Sequence, residues 1–534
     1  MWDILGLIIA TVALLYYLFK IYPQGNNSYW PKRGVKVVLP SEVGSLWDLI
    51  TKKKTVFGMD QAYHEKISAD PNCRYGGLME FRTPSLMIVD LDLIKQILVK
   101  DFDYFVDRRR VKFGNEPIFT EMLVILEGQK WKDVRSVLSP SFTTGKMKRM
   151  FEQFNKCGQG FVKCVQDYPL DASNGHRVNI QEVVNRFTVD VIGATAFGMD
   201  TNALKDSNSD FLKMANRISN ITVWRFVKNM AFIVVPKICN VIGLRIFDKD
   251  VTDFFSSILH GALKNRETTG EKRNDFLQLM VEARAGELKS ETGDEELDTF
   301  EKEAILKDDG SRKTVNSKQI FTDNLTLAQS FIFFVAGFDT VGALLNFAAY
   351  LMAAHPDVQE KLYNEVKASM EESDGEIDYE TVSRLEYMDM FISEILRRYP
   401  PANRLERRCV KEYKIPGSDV IVPQDMIVSV SVQGIHMDPR IYPEPEKFDP
   451  ERFTPENKAK RHPYSYLPFG MGPRNCIGMR FALIEAKVAI AYFAYYFQIE
   501  PTEKTPIPVQ IDTKVGLNRP IADLELRFNP RNHN

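Results

Sequence analysis

Cysteine is scarce in this chain: six residues in 534, at positions 73, 157, 164, 239, 409 and 476. That density excludes a disulfide scaffold, and no two of the six sit at zinc-finger spacing. The seven histidines form neither an HxxxH nor an HExxH pair, which excludes the usual zinc-hydrolase helix. Neither sign of charge is in surplus. With 69 basic and 71 acidic residues the formal net charge is −2, without the basic excess of a dedicated nucleic-acid binder. Internal repeats and low-complexity tracts are also missing. What is abundant is apolar surface: 44% of the residues are hydrophobic, ample for a large core. Length alone suggests three or four domains at roughly 150 residues each.

The one long uncharged run is at the N-terminus, 16 residues from Ile4 to Phe19, followed by Lys20. As a helix it measures ~24 Å, close to the ~27 Å of a thin endoplasmic reticulum membrane. Trp2, Tyr16 and Tyr17 suit interfacial positions, and Lys20, Lys32, Arg33 and Lys36 place basic charge on its C-terminal side, which keeps the remainder cytosolic. A cleaved signal peptide is the alternative, but there is no basic leader and no small-x-small cleavage site. The expected division is a membrane anchor at 1–20, a hinge at 21–40 containing Pro23, Gly25, Pro31, Gly34 and Pro40, and a globular body at 41–534.

Helical periodicity covers most of that body, around 119–137, 145–168, 178–197, 209–229, 251–286, 319–354, 356–372, 382–399 and 476–496. Strand-like runs are short: Leu86–Val89, Val420–Val422 and Ile427–Val430. The expected class is mainly α (α+β), a large helical domain with small peripheral β-sheets. Residues 287–310, with ten acidic and three basic residues, read as a solvated loop. Residues 221–247 are apolar and aromatic but interrupted by charge. They fit either a buried core helix or a segment lying on a membrane surface.

One cysteine stands apart. Phe469-Gly470-Met471-Gly472-Pro473-Arg474-Asn475-Cys476-Ile477-Gly478 fits FxxGxRxCxG, a pattern expected by chance about once in ten thousand chains of this length. Each fixed position has a task in a haem-thiolate site. Cys476 supplies the thiolate to iron. The glycines allow a tight turn beneath the macrocycle, Phe469 shields the sulfur, and Arg474 pairs with a haem propionate. A helix beginning near Met479 would place Cys476 at a helix N-terminus, where the dipole favours thiolate. The other five cysteines read as small buried hydrophobes, the plain alternative for Cys476 as well. A dinucleotide loop built on Gly470 and Gly472 lacks its third glycine.

With this stretch the chain resembles the cytochrome P-450 superfamily, microsomal type. Further motifs follow in the family's order. Ala336-Gly337-Phe338-Asp339-Thr340 matches its oxygen-activation motif, and the resemblance implies that Thr340 and Asp339 deliver protons. The plain alternative is Thr340 bonding back to a helix carbonyl. Glu394 and Arg397 match ExxR, and Pro450-Glu451-Arg452-Phe453 supplies a third partner, Arg452, implying a structural triad. Alone, Glu394 and Arg397 would be read as a surface ion pair. Trp131 and Arg135 match WxxxR. With Arg407 and Arg108 they are implied to hold the propionates, the alternative being solvated basic residues.

Several phrases look like insect xenobiotic-metabolising members, among them Ser139-Pro140-Ser141-Phe142-Thr143. The resemblance implies haem b, ligated by Cys476, and electrons from an NADPH–cytochrome P-450 reductase, with cytochrome b5 as a further donor. It implies a body on the cytosolic face of the endoplasmic reticulum membrane and no nucleic-acid partner. The reaction implied is insertion of one oxygen atom into hydrophobic organic substrates such as plant toxins or insecticides. The substrate pocket is expected to draw on Phe113, Phe119, Phe334, Ala336, Ala402 and Leu517. Three alternatives stay open: an endogenous lipid or hormone hydroxylase, a haem-thiolate isomerase, and a non-enzymatic haem binder.

Overall fold

The structure is a computed structural model. It describes residues 28–44, 48, 55–80, 83–110, 116–219, 222, 225, 228, 231–232, 236–285, 320–372, 377–512, 517–521 and 523–532. The anchor, the first part of the hinge, the acidic stretch 287–310 and much of 221–235 lie outside the described residues.

The longest described helix organises the body. Its residues, Asp323–Ala354, carry almost no charge, so the helix is stable only inside a core. Thr322 caps its start by accepting a hydrogen bond from the Leu325 amide. By length and apolarity this helix would cross a membrane, yet most of it is buried by its neighbours within the body. Labelling in chain order, the helices that position the site are α1 (Val56–Ser68), α2 (Gly128–Leu138), α3 (Thr144–Gln166), α4 (Ile180–Ile192), α5 (Asp210–Ser219), α6 (Lys249–Thr269), α7 (Phe276–Ala285), α8 (Asp323–Ala354), α9 (Pro356–Glu372), α10 (Glu386–Arg398) and α11 (Met479–Tyr496). Helix α8 packs on α4 and α11, and α11 also packs on α3 and α9. Their shared core runs through Phe161, Phe187, Phe347, Phe391 and Phe493.

Among the described residues three small sheets accompany the helices. The largest orders β1 (Tyr75–Glu80), β2 (Thr83–Ile88), β7 (Ile427–Ser431) and β4 (Arg404–Arg408). β2 and β7 run parallel and the other pairings are antiparallel. A second sheet orders β3 (His176–Asn179), β9 (Glu525–Pro530) and β8 (Phe497–Pro501), and a third is the ribbon of β5 (Tyr413–Lys414) and β6 (Ile421–Val422). The mainly helical class with small sheets is therefore the observed one.

Two expected helices divide. The 119–137 pattern becomes a single turn at Pro117–Thr120 followed by α2. The 251–286 pattern breaks at Gly270, whose left-handed φ of 67° closes α6 with its amide on the Arg266 carbonyl. Asp275 then opens α7 by accepting from the Gln278 amide while gripping the Arg266 guanidinium.

Candidate haem-thiolate site

The loop before α11 is folded by its glycines. Gly470 and Gly472 have φ of 71° and 76°, in the left-handed region. The chain doubles back so that the Cys476 amide donates to the Phe469 carbonyl at 2.9 Å and the Asn475 amide to the Gly472 carbonyl at 3.0 Å. A Cβ on Gly472 would stand 2.1 Å from the Leu98 carbonyl oxygen, a backbone atom that cannot step aside. Gly472→Ala is therefore expected to cost about 2 kcal/mol or more from strain and clash together, read as a lowered urea midpoint. An unchanged midpoint would mean that the loop relaxes freely.

Cys476 lies two residues before the helix cap Gly478, with its side chain open to the interior of a cavity of about 630 Å³. Burial pushes its thiol up, and the Gly478 amide, Arg135 and Arg108 pull it down without prevailing. The Gly478 amide at the helix end acts in the expected direction, but desolvation deep in the protein is the larger effect. The remaining described cysteines are turned into the protein or are only partly exposed, and none lines the cavity.

Six arginines line the same cavity: Arg109 and Arg404, which Glu80 and Glu406 hold, and a second set of four, Arg108, Arg135, Arg407 and Arg474. Arg135, on α2 beside Trp131, donates to the Asn475 carbonyl at 3.0 Å and to its side-chain oxygen at 2.8 Å. Arg474 donates to the carbonyls of Val106 and Leu126 at 2.7 and 2.6 Å and lies over the Trp131 ring. Arg407 has its own neighbour's carbonyl, Glu406, at 2.9 Å, and its Nε has no partner; nor has the Nε of Arg474. Burial, then the charge of Arg108, brings Arg407 down to about 9. Burial, Arg108 and Arg407 bring Arg474 down to about 8. Burial lowers Arg135 to about 10, against the pull of Cys476. The one carboxylate on the wall, Glu406, is already held by Arg109 and Arg404. Concentrated, under-satisfied positive charge of this kind is complementary to a buried dianion.

The opposite wall is apolar. Helix α8 presents Phe333, Ala336, Gly337, Thr340, Val341 and Leu344 to the cavity, the i, i+3, i+4, i+7 stripe of one helix face. Leu123, Val124, Ile125, Ile332 and Ala402 continue that lining. The Thr340 hydroxyl faces the cavity and donates to the Ala336 carbonyl at 2.7 Å, so the back-bonded arrangement weighed from sequence is present at the same position. Asp339 is one position along and so turns off the cavity wall, towards Ser219, Arg225 and Arg519. Burial holds its carboxyl above the usual range.

Of the residues expected in the substrate pocket, Ala336 and Ala402 line the cavity. Phe334 does not: it points to the other side of α8 and is fully buried against Phe197, Phe211, Phe255 and Phe338. Phe119 is also off the wall, packed against Phe247, and Leu517 is half-buried away from the lining. Phe113 lies outside the described residues.

Beneath the loop, Glu394 and Arg397 are both wholly buried and joined at 2.7 and 2.8 Å. The Nε of Arg452 stands 3.6 Å from Glu394. Sequence reasoning missed His436. It accepts from the Leu467 amide at 2.8 Å while its other ring nitrogen bonds the Arg397 carbonyl at 3.2 Å, linking α10 to the cysteine loop. Burial and the Arg397 charge hold it neutral, down to about 3. No spacing in the sequence marks it.

Haem, the group implied by the resemblance, fits what is present: an inward thiol, unfilled guanidinium donors, and an apolar wall opposite. A family model described as Cytochrome P450 matches residues 72–528. Cytochrome P450 9e2 of Blattella germanica is 36% identical over 526 residues, spanning 96% of this chain and 94% of that protein. Cytochrome P450 6k1 of the same species is 33% identical over 525 residues, with 98% and 96% covered. Cytochrome P450 6a2 of Drosophila melanogaster is 34% identical over 513 residues, with 96% of each covered.

Proposed function

The chain belongs to the cytochrome P450 family, haem-thiolate monooxygenases, and on that premise we propose that it oxidises hydrophobic xenobiotics, plant toxins or insecticides among them, from an anchored position on the endoplasmic reticulum membrane. The observation that carries this reading is the apolar wall of the cavity, facing a thiol and a ring of arginines. It supplies burial but few hydrogen-bond partners, so it selects for hydrophobicity more than for a particular polar pattern. Haem b, held by a cysteine thiolate in this family, activates O₂ so that one atom enters the substrate and the other leaves as water, with NADPH electrons arriving through the flavoprotein reductase.

In this reading Cys476 ligates the iron. Arg108, Arg135, Arg407 and Arg474, with Trp131, hold the propionates, and Phe469 covers the sulfur. Phe333, Ala336 and Ala402 take the substrate in place of the sequence-expected Phe334. Thr340 holds a proton at its hydroxyl on the cavity wall, and Asp339 replenishes it from behind the helix. Glu394, Arg397 and Arg452 keep the cysteine loop in place. Residues 1–20 anchor the chain, with cytochrome b5 as an auxiliary donor. The hinge expected at 21–40 shortens to the residues before 28, because Trp30, Val35 and Val38 are buried in the body and Trp30 donates to the Leu78 carbonyl at 3.0 Å. The catalytic domain therefore begins near 28 and runs on through 41–534.

The test is a mass-spectrometric screen of plant toxins, insecticides and endogenous lipids with reductase and NADPH supplied. Turnover confined to a single lipid or hormone would overturn the xenobiotic assignment. Thr340→Ala is expected to lower product formed per NADPH consumed by at least about tenfold, less than the roughly 10²–10⁴-fold of a positioned proton donor because water can partly replace the hydroxyl. Unchanged coupling would remove Thr340 from proton delivery.

A further inference from the structure

On the same cavity wall Arg109, Arg404 and Glu406 belong to a second group of charges that pair with one another. The stretch 104–110 runs alongside β4, with the Arg408 amide on the Asp107 carbonyl at 2.7 Å and the Val410 amide on the Tyr104 carbonyl at 2.8 Å. Consecutive residues of this extended stretch face different partners. Arg108 and Arg109 both border the cavity, but Arg108 approaches a carbonyl, that of Arg474, at 3.5 Å. Arg109 reaches two carboxylates: its Nε and Nη2 donate to Glu406, both at 2.8 Å, and its Nη2 donates to Glu80 at 2.5 Å.

Arg404 joins the same carboxylates from β4. It pairs with Glu80, stands 3.1 Å from Glu406, and donates to Asp60 of α1 at 3.2 Å. The result is a chain of charges, Asp60–Arg404–Glu80/Glu406–Arg109, from α1 across the sheet to the cavity wall. Burial works against the charge on both arginines, yet the carboxylates hold both above their ordinary value. Three carboxylates against two guanidiniums make the group net negative beside a ring of four arginines.

We propose that Arg109 is a positioning residue, a clamp that Glu80 and Glu406 close on the 104–110 stretch so that Arg108 is held on the haem carboxylates, with Asp60 adjusting the clamp through Arg404. The inference rests on the assignment of Arg108 to the propionates. Glu80 and Glu406 are shared between two arginines, so whatever Arg404 does elsewhere changes what remains for Arg109. Asp60 faces Arg404 and Glu406 on β4, Glu80 on β1, the Asn403 amide, and Tyr63 on its own helix. Burial, opposed by Arg404 and reinforced by Glu80 and Glu406, raises its carboxyl to about 6. Above that pH the ionised Asp60 draws Arg404 and leaves Glu80 and Glu406 to Arg109. Below it, Arg404 falls back on those carboxylates and competes with Arg109 for them.

The experiment is haem transfer from the full-length holoprotein to apomyoglobin, followed spectroscopically across about pH 5 to 7.5. Arg109→Met and Glu406→Gln are expected to speed release by at least about fivefold, the scale of losing a half-buried multidentate ion pair. Arg109→Lys should fall between them and the parent, because a point charge keeps the attraction but not the bidentate geometry. In the parent, release should accelerate as pH falls through about 6. Asp60→Asn should remove that step and release at the acid-side rate throughout. Parent-like release from both Arg109→Met and Glu406→Gln, while Arg108→Gln is fast, overturns the clamp and leaves the Arg108 assignment standing. Parent-like release from Arg108→Gln overturns that assignment and the clamp with it. Should Arg109→Met fail to fold, Glu406→Gln, which keeps shape and packing, decides the question.

Discussion

Arg397→Ala is expected to destabilise the protein by about 3–5 kcal/mol, the cost of leaving a buried charge without its partner. Arg397 is wholly buried and makes four polar contacts of 2.7–2.8 Å, two to Glu394 and one each to the carbonyls of His436 and Pro445. Removing it strands the Glu394 carboxylate, leaving the Asp449 amide at 3.0 Å and Arg452 at 3.6 Å as its support. Against a typical stability of about 5–15 kcal/mol, that loss is a large fraction of the whole. Lysine is a poor substitute, because it offers a point charge where a planar fork is engaged on both sides. Urea unfolding followed by near-ultraviolet circular dichroism would measure the effect. A midpoint close to the parent's would mean that the pair is replaceable and that the loop above it stands on other contacts.

Cys476→Ser should leave the fold intact and abolish the chemistry. The side chain opens into a preformed cavity, so exchanging sulfur for oxygen disturbs little packing. Oxygen is a harder and much weaker donor to haem iron. The reduced carbon monoxide complex should lose its thiolate-type absorption, and product formation should fall by at least about three orders of magnitude, as when a group on which the whole reaction depends is removed. Far-ultraviolet dichroism should remain that of the parent. Retained turnover with the thiolate-type spectrum would place the ligand elsewhere, and among the described cysteines none other reaches the cavity.

Much of the site is legible in the sequence because its chemistry is written in local spacing. The cysteine loop occupies ten consecutive residues, and Glu394 and Arg397 are one helical turn apart, so their meeting follows from geometry. What was not legible depends on rotation or on distant packing. Phe333 and Phe334 are adjacent and chemically identical, yet a rotation of ~100° per residue sends one to the cavity and the other into an aromatic cluster. The same rotation turns Asp339 off the wall that carries Thr340. His436 acts through backbone groups 31 and 39 residues away, and no periodicity encodes such a pairing. The run Arg108-Arg109-Arg110 illustrates both cases: its composition is plain, but only the strand beside it decides that Arg108 and Arg109 border the cavity, that Arg109 is also clamped, and that Arg110 pairs with Glu127. The break at Gly270 was hidden because a helical pattern continues on both sides of it.

The ring of four arginines has a consequence for the life of the polypeptide before it is an enzyme. Guanidiniums gathered on one buried wall repel one another, so the folded chain carries a cost that a bound dianion would offset. A ligand that binds only the folded form adds about 2.7 kcal/mol when it is present at a hundred times its dissociation constant. On that relation, the amount of folded chain retained in a cell is expected to fall when haem is limiting. A shortage would appear as degradation of the chain rather than as a pool of inactive but intact protein.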